Sequence, residues 1–265
     1  MLELKNVTKV FNKDQNEIDR KVALDDLTIT VEDGDFITVI GSNGSGKSTF
    51  LNVVTGMHFA DIGHVVLDGL DITKMKQYKR AKYMGMVYQD PMQGTASNMS
   101  ILENMEMALK RGKRKTLRWG FSAKNKDLFK NLLARLDLGL EQRMDQKIGL
   151  LSGGQRQAIT LLMATLNSPK LLLLDEHTAA LDPKTAKTVL DISEKIIQNE
   201  KLTTIMITHN MKDAIRYGNR LLMFNEGKVI LDVRDEEKKN LTIEKLLQKF
   251  SSTNVTISDQ LVLAK

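Results

Sequence analysis

The sequence predicts an α/β fold with a mainly parallel central sheet, and three observations carry that prediction. Short β-type runs alternate with helix-period stretches, as in doubly wound folds. Two of the runs, 36–40 and 171–174, are continuously apolar, which is how strands covered on both faces of a sheet read. A Gly-rich turn directly after the first of these runs opens a helix with Lys-Ser.

Taken in order, strand patterns are expected at 2–7, 27–31 and 36–40, followed by a helix at 47–55. A strand at 85–88 comes next. From 91 to 149 strand signals vanish and helical spacing takes over in 101–109 and 127–136, so a helical insertion is expected over about 91–150. The alternation then resumes with a helix at 153–166, a strand at 171–174, a helix at 183–198, a strand at 204–208 and a helix at 211–217. The domain organisation expected is one domain over 1–250 with a loosely held tail at 251–265.

Composition bounds the function classes. The chain has 265 residues, 42% hydrophobic and 27% charged, which suits a packed core instead of disorder. No apolar run approaches the ~20 residues that span a bilayer, and the first ten residues alternate charge with leucine, so a cytosolic chain is expected. The absence of cysteine excludes a disulfide framework and thiolate-bound metal. The net charge of +6 collects in Lys110, Arg111, Lys113, Arg114, Lys115, Arg118, Lys124 and Lys126, around Trp119. A solvated loop and a contact with lipid headgroups both account for that cluster, with nucleic acid a poorer third reading.

Gly41-Ser42-Asn43-Gly44-Ser45-Gly46-Lys47-Ser48 fits G-x-x-x-x-G-K-[ST] in the strand-to-helix context that the motif requires. Glycines let successive N–H groups converge and the helix N-terminus adds partial positive charge. Lys47 reaches the outer phosphates, and the Ser48 hydroxyl can coordinate magnesium. Thr49, next in the helix, is counted with the same nucleotide site. The apolar run 171–174 ends in Asp175 and Glu176. Asp175 is placed to hold Mg²⁺ through water, and Glu176 is assigned as the general base that polarises the attacking water.

Leu151-Ser152-Gly153-Gly154-Gln155, about twenty residues ahead of that acidic pair, resembles the signature sequence of ABC ATPases. Gln89 resembles the family's Q-loop glutamine, which also serves the metal. Asp182 resembles its D-loop aspartate and His209 its switch histidine. Phe11 falls where the family stacks an aromatic ring on adenine, tyrosine being commoner there. The resemblance covers residues 1–232 and implies a P-loop NTPase with an N-terminal antiparallel β subdomain and an inserted helical subdomain. It also implies that ATP and Mg²⁺ are bound, and that Ser152, Gly153, Gly154 and Gln155 of one copy cover the γ-phosphate held at Lys47 of a second, head-to-tail copy. Asp182 before Pro183 is in addition a good helix N-cap.

His177 departs from the family, which usually has proline there; hydrolysis is not expected to be abolished by it. The stretches 89–95 and 175–183 are similar to ATPases of a bacterial importer group that includes proposed aromatic amino-acid systems. The resemblance therefore implies a permease, an extracytoplasmic solute-binding lipoprotein, residence at the cytoplasmic face of the membrane, and no nucleic-acid partner. In such a system Met92, Met99, Met105 and Met107 lie near a permease groove, or belong to the ordinary core. A split exporter ATPase and a non-transport ABC ATPase are the alternative functions. The second cassette of translation-type members and the long coiled coil of repair-type members are not seen in this sequence.

Overall fold

The computed structural model describes residues 1–13, 20–113 and 123–251, without the side chains of 123, 124, 250 and 251. Arg114, Lys115, Arg118 and Trp119 of the basic cluster, and residues 252–265 of the expected tail, lie outside the described residues.

In chain order the elements are β1 (Leu2–Phe11), β2 (Lys21–Val31), β3 (Phe36–Gly41), α1 (Lys47–Thr55), β4 (Ile62–Leu67), β5 (Leu70–Asp71) and α2 (Gln77–Arg80). Then come β6 (Met84–Val87), α3 (Ile101–Leu109), α4 (Ala123–Ala134), α5 (Gly153–Thr165), β7 (Leu171–Asp175) and α6 (Pro183–Glu200). The chain continues with β8 (Thr204–Ile207), α7 (Met211–Arg216), β9 (Arg220–Asn225), β10 (Lys228–Arg234), α8 (Asp235–Lys239) and α9 (Ile243–Ser251). They fall into two compact units, Met1–Arg80 with Leu202–Lys265, and Ala81–Lys201.

The first unit holds an antiparallel sheet of order β2-β1-β4-β5, with Leu2 opposite Val31 and Phe11 opposite Lys21. It also holds the strands β10-β9-β3-β8, in which β3 lies parallel to both β8 and β9. All six residues of β3 are buried, so its unbroken apolar pattern reports coverage on both faces. Ile40, Met211, Leu221, Met223 and Leu246 pack together beside it. The β9–β10 hairpin turns on Glu226 and Gly227, both at positive φ (46° and 78°), as a two-residue primed turn demands. Its tip braces the Gly-rich loop: Gly227 N–H donates to the Ser45 carbonyl at 2.9 Å, and the Gly227 carbonyl accepts from Asp25 N–H at 3.1 Å.

Two buried cations tie this unit together. Arg80 is 1% exposed. It donates from Nη1 to the Val53 and Val54 carbonyls at 2.8 Å each, from Nε to Met75 O at 2.7 Å, and from Nη2 to Thr73 O at 3.1 Å. The last carbonyls of α1 are thus satisfied by a positive charge at the negative end of the helix dipole. Lys238 does the same work beyond α7. Its three N–H groups are shared among four acceptors, the carbonyls of Tyr217, Gly218 (3.1 Å) and Arg220 (3.4 Å) and Thr38 Oγ1 on β3 at 3.2 Å.

In the second unit β6 and β7 pair in parallel, Met84 beside Leu171 and Val87 beside Leu174. Helices α3, α4 and α5 enclose a core of Ile101, Met105, Phe129, Leu133 and Leu162. Ser100 and Glu103 cap α3 reciprocally, and Asn104 turns back to bond Ala96 N–H at 2.8 Å and the Ser100 carbonyl at 2.9 Å. The four methionines divide. Met105 is fully buried core and Met99 half-buried, whereas Met92 and Met107 are 45% and 47% exposed. No helix among the described residues is long and apolar enough to cross a membrane.

Burial pushes the Lys238 ammonium down to about 7, against roughly 10.4 in an unfolded chain. Between those values the unfolded chain holds the extra proton, so this group makes stability rise as pH goes from about 7 towards 10. Denaturant midpoints measured across that range are expected to rise with pH, and the rise is expected to flatten in Lys238→Met.

Candidate functional site

The loop from Gly41 to Ser48 is shaped by backbone that only glycine tolerates. Gly44 and Gly46 take φ of 79° and 105°, and a Cβ on Gly46 would stand 2.6 Å from the Ala23 carbonyl oxygen. Gly46 is also the residue from which α1 starts. Phe50 N–H bonds back to the Gly46 carbonyl at 2.8 Å, so the helix ladder begins at Gly46 and the positive end of the helix dipole lies at this loop. Lys47, only 7% exposed, holds its Nζ inside the loop, where it donates to Gly41 O at 2.8 Å, Ser42 O at 2.9 Å and Ser45 Oγ at 3.4 Å. Ser42, Asn43, Ser48 and Thr49 remain at least partly accessible around it. The result is a concentrated positive centre, an ammonium at the positive end of a helix.

Phe11 ends β1 beside this loop. Its pairing partner Lys21 places Nζ 3.9 Å from where a Gly44 Cβ would be. The Phe11 ring meets His58 edge-on at 5.2 Å between centroids, and Lys9 Nζ lies 5.3 Å from its centre. His209 follows β8. It sits between two anchored neighbours, Thr208, whose N–H donates to Val39 O at 3.1 Å, and Asn210, which caps α7 by accepting from Lys212 N–H at 2.9 Å and Asp213 N–H at 3.2 Å. The imidazole itself is exposed.

In the second unit, β7 delivers Asp175 at its carboxyl end and Glu176 just past it, both half-buried. Glu176 adopts φ 45°, a left-handed conformation costing a side-chain-bearing residue roughly 1–2 kcal/mol. Such strain is typical of a group that must be aimed. Its carbonyl accepts from Ala179 N–H at 2.9 Å, which turns the chain toward Asp182. Asp182 accepts from Thr185 N–H at 3.1 Å, with Pro183 at the first helical position of α6. These bonds from Thr185 hold its carboxyl below the ordinary range.

Ser152 caps α5. Its Oγ accepts from Gln155 N–H while the Gln155 side chain accepts from Ser152 N–H, both at 3.3 Å. Gly153 and Gly154 form the first turn, and a Cβ on Gly154 would collide with the Thr185 methyl of α6. Gln89, beyond β6, is exposed. Sequence reasoning gave no role to the next two residues of α5, Arg156 and Gln157, which hold the chain on either side of Gln89; the only signal was that they follow the Gly-Gly-Gln turn.

Ser48 in the first unit, and Gln89 and Asp175 in the second, each offer side-chain oxygen. One carboxylate with neutral oxygens suits Mg²⁺, which keeps several waters and takes substrate phosphate as further ligand. No group of three or more His, Cys, Asp or Glu with metal-binding geometry occurs among the described residues.

The ABC transporter family model matches residues 24–179. A tyrosine transport ATP-binding protein of Clostridioides difficile is 45% identical over 94% of this chain and 98% of its own length. A methionine import ATP-binding protein of Staphylococcus aureus is 34% identical over 87% of this chain, which spans 64% of that longer protein. Among solved structures, a dimeric ATP-binding cassette in a post-hydrolysis state with ADP and Pi superposes with a TM-score of 0.73. It is 27% identical, and the match covers 88% of this chain and 98% of that one. An ADP-bound cassette of an ABC transporter reaches 0.76 at 27% identity, over 95% and 98% of the two chains.

His177, 2% exposed, lies 3.2 Å by Nε2 from Ser193 Oγ, which donates to Val189 O at 2.8 Å. The serine proton is therefore spent, and the imidazole is the neutral tautomer that donates from Nε2. Burial pushes its pKa down to about 4, against roughly 6.5 unfolded. Stability is expected to fall as pH drops from 6.5 towards 4. NMR of the ring is expected to show no titration between pH 5.5 and 8, and an inflection near 6.5 would refute the neutral assignment.

Proposed function

The chain belongs to the ABC transporter family as an ATP-binding, ATP-hydrolysing cassette, and from that premise we propose that two copies clasp ATP head-to-tail to drive solute import through separate permease subunits. The observation that carries the reading is the Lys47 ammonium held inside a glycine-shaped loop at the start of α1. That arrangement is suited to the β- and γ-phosphates and to little else. The ligand must exchange the loop carbonyls for phosphate oxygens on Nζ, which favours a multiply charged anion over a neutral ligand.

In this reading each residue has a definite task. Gly41, Ser42, Asn43, Gly44, Ser45 and Gly46 offer backbone N–H groups and loop shape, and Lys47 neutralises the outer phosphates. Ser48 and Thr49 follow along the phosphates, and Phe11 stacks on adenine. Ser48, Gln89 and, through water, Asp175 would hold Mg²⁺, which would supply positive charge to offset that of the phosphate being transferred. Glu176 takes the proton of the attacking water, and His209 bonds the γ-phosphate. From the other copy, Ser152, Gly153, Gly154 and Gln155 present a second helix N-terminus to the same γ-phosphate, and Asp182 supports the seam. Support for this last step comes from the capped helix end of α5, which has anion-binding character but no cradle of its own.

ATP engages both copies and ADP only one, and that difference in affinity is what can shift an open–closed equilibrium. We place the working molecule at the cytoplasmic face of the membrane with a permease and an extracytoplasmic solute-binding lipoprotein. The identity with a tyrosine transport ATP-binding protein along almost its whole length favours import of an aromatic amino acid.

Lys47→Ala is expected to weaken binding of a fluorescent ATP analogue at least roughly thirty-fold, the cost of deleting one partner of a desolvated charge pair; unchanged affinity would contradict the site. Glu176→Gln is expected to retain ATP while kcat falls about 10²- to 10⁴-fold, the range for loss of a general base. Steady-state hydrolysis at wild-type rate would remove Glu176 from that role.

A further inference from the structure

The first two turns of α5, the helix that Ser152 caps, carry a device that none of the tasks above requires. Gln157 is completely buried. Its Nε2 donates to the carbonyl of Tyr88 at 3.0 Å, and Tyr88 is the residue directly before Gln89. Its Oε1 is buried with no hydrogen-bond partner among the described residues. The preceding residue, Arg156, sets its guanidinium against the Met92 sulfur. It also donates to the carbonyls of Ile148 (3.3 Å), Gly149 (3.0 Å) and Leu151 (3.2 Å), the turn leading into Ser152. Consecutive residues of one helix therefore grip the chain on both sides of the exposed Gln89, and one of them also grips the approach to Ser152.

A buried amide whose oxygen is left unpaired is a poor choice for packing alone, since a methionine of similar length would fill the space without that orphaned oxygen, at the cost of the bond to the Tyr88 carbonyl. A residue retained on those terms is expected to do something that packing does not. We propose that Gln157 is a positioning residue, tying the peptide that carries Gln89 to the helix that carries Ser152 so that the two groups move as one piece. A displacement at Gln89 then reaches Ser152 through a single buried hydrogen bond and not through flexible loop. The inference rests on the reading of Gln89 and Ser152 as groups of the ATPase site.

The test compares Gln157→Met with wild type as purified full-length chains. Positioning predicts thermal stability close to wild type, the loss of the unpaired Gln157 oxygen offsetting the loss of a donor to the Tyr88 carbonyl, kcat for ATP hydrolysis reduced at least five-fold, and KM for ATP within two-fold. It further predicts non-additivity: in a Gln89→Ala background, adding Gln157→Met lowers kcat less than two-fold. A kcat within two-fold of wild type, a change confined to KM, or additivity with Gln89→Ala overturns the proposal. Should Gln157→Met not fold, Gln157→Asn, one methylene too short to reach Tyr88, is read by the same three measures. Wild-type hydrolysis abolished by Lys47→Ala serves as the separate control. If that fails, the ATPase reading itself has failed; if it holds, the outcome at Gln157 stands on its own.

Discussion

Everything in this molecule that concerns nucleotide depends on one arrangement: a lysine ammonium drawn into a loop whose backbone bends as only glycine can. Lys47 Nζ is pinned by two carbonyls and a hydroxyl, and the loop that supplies them is held from outside. The β9–β10 hairpin tip bonds to Ser45, and the Ala23 carbonyl leaves no room for a side chain at Gly46. At the far end of α1, Arg80 closes the helix with two of its four donated bonds, to the Val53 and Val54 carbonyls. The loop backbone is thus preorganised, and binding phosphate requires Lys47 Nζ to exchange its loop partners for phosphate oxygens with little further ordering of the chain.

The second unit is built around a different requirement, which is to present polar groups at the ends of apolar elements. β7 runs buried for four residues and ends in two acids, the second in strained backbone. α5 begins at a reciprocal cap whose glycines allow close approach to α6. His177 and Gln157 are buried polar residues of the same unit. His177 is made neutral by desolvation and anchored through Ser193, so the family departure at that position is structural in character.

Much of this was legible in the sequence. The apolar runs 36–40 and 171–174 read as central strands because burial on both faces leaves an unbroken pattern, and α1, α3 and α6 were placed closely by periodicity and capping residues. Less visible was β4, whose burial alternates weakly around Gly63 and His64, and β10, in which Val233 alone of the seven residues is buried. β9 carried an apolar run and the Glu226-Gly227 turn that should have marked a hairpin. The site residues were readable because phosphate chemistry demands particular types at particular spacings. Arg80, Lys238 and Gln157 were not, since a buried cation or amide is defined by carbonyls distant in sequence, and nothing local distinguishes it from a surface residue.

The central claim, that one triphosphate is shared by two copies, is tested most directly by determining the structure of Glu176→Gln with ATP and Mg²⁺. The account predicts a two-fold dimer in which each γ-phosphate touches Lys47 of one copy and Ser152 of the other. A structure in which ATP contacts a single copy, with Ser152 remote from every phosphate, would contradict it.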